Sequence, residues 1–143
     1  LHQNIPVKGE VRLPGVQGRI IDMTVTIRPA DREGYHWFRI HVAQDETHDT
    51  IIRYRPNEST LKIDRTRSGL PQDIVHTRTF PVRSQNGELK LRLILDRFSV
   101  EVFVNDGEQA ASAVIYTRPE ADAITFEADR HVLMDVEKYD IVV

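Results

Sequence analysis

Four residues carry side chains suited to holding a polyhydroxylated ligand: Trp37, Asp64, Arg65 and Glu101. Sugars expose C–H faces that stack on aromatic rings, and their neighbouring hydroxyls pair with planar carboxylate and guanidinium groups. Trp37 shares a strand face with Arg39 and His41, Asp64 and Arg65 are adjacent, and Glu101 shares a face with Phe103 opposite a row of valines. Each also has a structural reading. Trp37 suits a core or an interface, Asp64 and Arg65 suit a turn in which Asp64 caps backbone N–H groups and pairs with Arg67, and Glu101 suits a solvated, ion-paired face.

Other chemistries find less support. Ser68-Gly69 has no glycine ahead of the serine in nucleophile-elbow spacing, so it reads as a loop serine. His36 and His41 fall on opposite faces of one strand, and His48, His76 and His131 show no paired metal-ligand spacing. Gln44-Asp45-Glu46 with Asp49 offers oxygen ligands to a hard cation but lacks the glycine and spacing of an EF-hand loop, so a solvated acidic connection is the simpler reading. No metal site and no cofactor are expected.

Composition narrows the classes further. At 143 residues the chain has the size of one domain with a real core. Its 19 basic and 22 acidic residues leave a net charge of −3, which is no field for nucleic acid. No apolar run approaches the ~18 residues of a membrane span, and no membrane partner is expected. Cysteine is absent, which excludes disulfides and thiolate zinc sites but leaves the compartment open. The first residue is Leu1 rather than Met, which suggests an excised fragment or a processed product, so cytoplasmic and secreted locations both remain open.

The elements that must position these residues are short strands. Leu89, Leu91, Leu93 and Leu95 alternate with Lys90 and Arg92, and Val100, Val102 and Val104 alternate with Ser99, Glu101 and Phe103, so two period-two runs meet at Asp96-Arg97 as a hairpin. Asn105-Asp106-Gly107 predicts a second reversal. Similar alternation predicts strands over Glu10 to Leu13, Ile20 to Arg28, Trp37 to Val42, Thr50 to Arg55, Thr60 to Asp64, Ile74 to Val82, Gln109 to Tyr116, Ile124 to Ala128 and Val132 to Tyr139 or Ile141. Pro6 argues against an earlier strand, and Ser84-Gln85-Asn86-Gly87 reads as a reversal. Helical period is absent, so the fold class is all-β: an antiparallel β-sandwich of about ten to twelve strands.

Three blocks carry a family resemblance. Asp96-Arg97, Ser99-Val100-Glu101-Val102-Phe103 and Asn105-Asp106-Gly107 together resemble the signature hairpin in the C-terminal β-sandwich of glycoside hydrolase family 32, the invertase, levanase and sucrose-6-phosphate hydrolase group. Asp64-Arg65-Thr66-Arg67-Ser68-Gly69 is similar to that family's Asp-Arg-(two residues)-Ser-Gly loop. Ala113 to Thr117 and Ala123 to Ala128 resemble the strands that follow, so the likeness spans about residues 10 to 140.

The resemblance implies a concanavalin- or jelly-roll-like sandwich forming a single domain over residues 1–143, the C-terminal fragment of a longer β-fructosidase. Its implied partner is an N-terminal five-bladed propeller. The family's nucleophile, its stabilising Asp and its general acid lie in Asn-Asp-Pro-Asn-Gly-like, Arg-Asp-Pro and Glu-Cys segments, none of which occurs here. By resemblance, then, the fragment holds no catalytic residue and serves structure or assembly. The alternative is a fructan-binding module, because a closely similar sandwich also exists as a separate module that recognises terminal fructose.

Overall fold

Period-two alternation builds the central strands of this chain, and the long C-terminal strand decides how they meet. The computed structural model describes residues 1–67, 77–84, 87–115 and 117–141. Ten strands lie among them: β1 (His2–Val11), β2 (Ile21–Pro29), β3 (Phe38–Gln44), β4 (Thr50–Arg55), β5 (Thr60–Asp64), β6 (Thr77–Pro81), β7 (Leu89–Leu95), β8 (Ser99–Val104), β9 (Gln109–Val114) and β10 (Ala123–Asp140). All pairings between them are antiparallel.

One edge of β10 pairs with β1 along its length. The other edge is divided, with Ala123 to Ala128 against β3 and Val132 to Asp140 against β2. Residues 129–131 form the corner between the two. Opposite them β1 carries a bulge between Val7 and Gly9, where Gly9 takes φ 73°, a conformation that favours glycine. Asp129 closes the corner by accepting hydrogen bonds from the backbone N–H groups of His36 and Trp37 at 2.9 and 3.0 Å. The strands run β6-β5-β4-β3-β10 in one sheet and β10-β2-β7-β8-β9 in the other.

The inner faces of the two sheets make the core. Phe38, Ile40, Ile52, Tyr54, Leu61 and Phe126 come from one sheet, and Met23, Val25, Leu91, Leu93, Val102 and Met134 from the other. Each contributes about 1.5 to 3 kcal/mol by leaving water. Leu93 sits directly opposite Val102, as the alternation requires, and Asp96 makes the intervening turn by accepting from the N–H groups of Phe98 and Ser99, both at 2.8 Å. Asn105, Asp106 and Gly107 all take positive φ at the second reversal.

Away from the β10 corner, arginines at the end of β5 and on β6 reach across to the edge strand β9. Arg65 Nη1 donates to the Val114 carbonyl at 2.9 Å and Arg78 Nη1 to that of Ser112 at 3.2 Å. A third arginine holds the loops at one end. Arg19, only 6% exposed, donates to the carbonyls of Arg97, Arg118, Thr117 and Ala121.

Two sequence expectations are corrected. Pro6 lies inside β1, opposite Leu133. It is tolerated because β1 pairs only with β10, and an edge strand has a side on which no N–H is needed. The two strands expected over Ile124 to Ala128 and Val132 to Tyr139 are one continuous strand, since β1 pairs across both halves. Ser68, Gly69, residues 70–76 with His76, Gln85 and Asn86 of the Ser84–Gly87 reversal, and Tyr116 lie outside the described residues.

Candidate functional site

The outer face of the sheet containing β3, β4 and β5 gathers most of the chemically versatile side chains. Because Phe38, Ile40, Ile52, Leu61 and Ile63 turn inward, their neighbours turn outward. Register then sets them in rows across the strands. One row reads Glu127, Arg39, Arg53, Lys62, Thr79, and the next reads Thr125, His41, Ile51, Asp64, Thr77. Except for the two threonines of β6, which are exposed, and Thr125, which is buried, these side chains are half-buried.

His41 is the electrostatic centre of this face. Its Nδ1 lies 2.8 Å from Asp49 Oδ2 and its Nε2 3.3 Å from Glu127 Oε1. Burial alone would push the imidazole pKa down, but the hydrogen bonds and negative fields of Asp49 and Glu127 outweigh it and raise the pKa. Glu127 Oε1 also meets Arg39 Nη1 at 3.4 Å, and the Arg39 guanidinium stacks 4.0 Å from the centre of the Trp37 ring. Arg53 has its pKa lowered, first by burial and then by the positive fields of Arg55 and Arg39.

The four residues singled out from the sequence do not share one pocket. Trp37 and Asp64 are on this same outer face, two strands and roughly 13 Å of strand length apart. Asp64 Oδ1 accepts from Thr66 N at 2.9 Å and from Thr66 Oγ1 at 2.6 Å, which makes it a turn-forming group. Burial raises its pKa, but those bonds and the fields of Lys62 and Arg53 bring it below the ordinary value. Arg65 reaches the β9 backbone, as described above. Glu101 stands on the outer face of the other sheet, opposite Ile94 and Ser112, in an open groove of about 830 Å³ with Phe103, Arg78 and Phe80.

Sequence reasoning missed Arg53, Lys62 and Glu127 as members of a site, and singled out Asp49 only as a possible oxygen ligand of a cation and not as a partner of His41. The signal available was the outward set Trp37, Arg39, His41, which is too rich for a merely solvated face. What it lacked was the register that brings β4, β5 and β10 alongside.

The arrangement does not suit glycoside hydrolysis, which needs two carboxyl groups facing the scissile bond across open space. Asp49 and Glu127 approach one another, but the His41 ring fills the gap between them. Among the described residues no group of three or more His, Asp or Glu is placed to hold a metal ion. Asp45, the centre of the acidic connection, instead accepts from the backbone N–H groups of Thr47 and His48.

Residues 2–141 match the family described as glycosyl hydrolases family 32 C terminal. The chain belongs to that family. This family 32 C-terminal domain is 27% identical over 124 residues to a levanase of Bacillus sp. (strain L7), covering 85% of the chain and 14% of the levanase. It is 34% identical over 101 residues to a sucrose-6-phosphate hydrolase of Staphylococcus xylosus, covering 70% of the chain and 20% of that protein. Its fold superposes on the exo-inulinase from Aspergillus awamori with a TM-score of 0.83 at 19% identity, over 99% of this chain and 28% of that one. The domain therefore spans a fifth or less of the length of the two curated relatives.

Proposed function

We propose that this domain is the non-catalytic C-terminal accessory domain of a β-fructofuranosidase, supporting a catalytic propeller that precedes it and hydrolyses sucrose or fructans. The observation that carries this reading is the match of residues 2–141 to a C-terminal domain family, in a chain that aligns with only 14% and 20% of a levanase and a sucrose-6-phosphate hydrolase. The geometry agrees with it. His41, Asp49, Asp64 and Arg65 are engaged in pairing, turn formation and edge clipping, so none of them is poised on an open reaction centre.

Two measurements test the proposal. The purified chain of residues 1–143, incubated with sucrose, inulin and levan, should release no fructose. An antibody raised against it should detect, in the source cells, a polypeptide several times larger. Turnover that survives repurification and is lost on unfolding, or a native polypeptide of this length alone, would overturn the reading.

A further inference from the structure

The row Glu127, Arg39, Arg53, Lys62 departs from the usual economy of a sheet face. Like charges directly opposite one another in neighbouring strands repel, so a face shaped for stability alone would alternate sign. Here Arg39 faces Arg53, and Arg53 faces Lys62. Glu127 serves only the β3 end, where Arg39 and His41 share its Oε1. Among the described residues no hydrogen bond or ion pair reaches Arg53 or Lys62, and Arg53 Nε is buried without a partner. Arg55, the next outward side chain of β4, adds another cation, 3.6 Å from Glu58. With acidic residues in excess over the whole chain, composition did not force cations together here. Asp64 and Glu58 reach Arg53 only through their fields and do not bond to it, and a local rule broken for so small a local gain marks a surface that serves something other than folding.

We propose that this face, centred on Arg53 and Lys62, docks an acidic surface of the catalytic portion of the longer polypeptide, whose carboxylates complete the ion pairs that the sandwich leaves open. The inference rests on the accessory-domain reading and adds to it the face and the chemistry of the contact.

Four observations favour that occupant. In proteins where such a domain is 14% to 28% of the chain, most of the polypeptide lies elsewhere and offers it a large neighbour. The grooves lined by Glu101 and Phe103, and by Asp22, Arg92 and Tyr139, lie on the other sheet and at the β6–β9 edge, so the cationic row is an open sheet surface suited to another surface. A second copy fits poorly, because a two-fold contact would set the row against itself, cation to cation. Arginine stacked on tryptophan, as Arg39 is on Trp37, is also the kind of pre-ordered pair that protein interfaces favour.

Carbodiimide cross-linking of the full polypeptide, read by mass spectrometry, tests the proposal. Lys62 should join to Asp or Glu residues outside residues 1–143, and Arg53→Glu should lower the yield of that link about tenfold. The double variant Arg53→Glu, Lys62→Glu should split the melt of the full polypeptide into two transitions. In the chain of residues 1–143 the same double variant should melt no lower than the unsubstituted chain, because the repulsion is relieved. A lower melt there would assign Arg53 and Lys62 a folding role and overturn the proposal. Links from Lys90 or Lys138 in place of Lys62 would move the contact to the other sheet, overturning this inference while leaving the accessory reading standing. No link from any lysine of the domain to the rest of the polypeptide would overturn both. Links from Lys62 to a second copy, or its protection by inorganic phosphate with no link formed, would give the face to another occupant and overturn the proposal.

Discussion

His41 Nδ1 lies 2.8 Å from Asp49 Oδ2, with both side chains largely buried beneath the outer face of β3 and β4. The second ring nitrogen meets Glu127, so the protonated imidazole satisfies two carboxylates at once, while the neutral ring donates to one of them only.

That pairing sets a pH dependence. Burial opposes the charge on His41, but Asp49 and Glu127 prevail, and the folded-state pKa stands above the unfolded one. Its contribution to stability is complete below the ordinary histidine value of about 6.5 and is lost as pH rises through the higher folded value. Urea unfolding should therefore show a decline in stability as pH rises above the ordinary histidine value of about 6.5, flattened in His41→Gln. An NMR titration of the His41 ring should give a pKa that falls in Asp49→Asn. A His41 titration at or below the ordinary value would contradict this account.

Arg19 is expected to be the most sensitive polar residue for folding. Its guanidinium gathers carbonyls from the turn after β7 and from the segment between β9 and β10, and among the described residues no carboxylate bonds to it, Asp122, Asp96 and Glu120 acting only through their fields. Arg19→Met would leave those carbonyls buried and unpaired, at a cost on the order of 3 kcal/mol. Arg19→Lys should recover only part of that loss, because an ammonium lacks the planar fork that reaches several carbonyls together. Chemical denaturation of both variants decides the point, and full rescue by lysine would contradict it.

The central hairpin predicts a contrast between its two faces. Leu93 and Val102 are 1% and 0% exposed, so either one changed to Asp buries a charge with no partner. The expected loss exceeds about 4 kcal/mol, enough to unfold many domains of this size. Phe103 and Glu101 point away from this core, and Glu101→Gln should leave the melt within about 0.5 kcal/mol of the unsubstituted chain. A cooperative melt unchanged by Val102→Asp would show that the faces are reversed.

Sugar binding by the chain alone is expected to be absent, because Trp37, Asp64, Arg65 and Glu101 are dispersed over two sheets and a strand edge. An NMR titration with fructose and with inulin or levan oligosaccharides should give no saturable shift. Asp64→Ala should cost only about 1 kcal/mol, the worth of its turn-forming bonds to Thr66. Saturable shifts centred on any of these four residues, abolished by Asp64→Ala or Glu101→Ala in a folded domain, would establish the module reading in place of the accessory one.

Much of the fold was legible without coordinates, and for a local reason. The spacing of Leu89 to Leu95 and Val100 to Val104 states which side chains face inward, and Asp96 marks the turn between them, because strand alternation and turn chemistry involve residues close in sequence. The same alternation set Trp37, Arg39 and His41 on one outward face and Phe38, Ile40 and Val42 on the other. What stayed hidden was every relationship fixed by pairing between distant strands. Nothing in the neighbourhood of Pro6 indicates that β1 is an edge strand able to accept it, and nothing near Asp129 indicates that β10 passes from β3 to β2 without a break. Arg65 reads as a sugar ligand or a turn residue until the sandwich closes and brings the Val114 carbonyl to it. Asp49 and Glu127 converge on His41, and Arg39, Arg53 and Lys62 line up across three strands, only because register is set by the fit of the whole core: a slip of one residue would have turned each of these side chains to the opposite face.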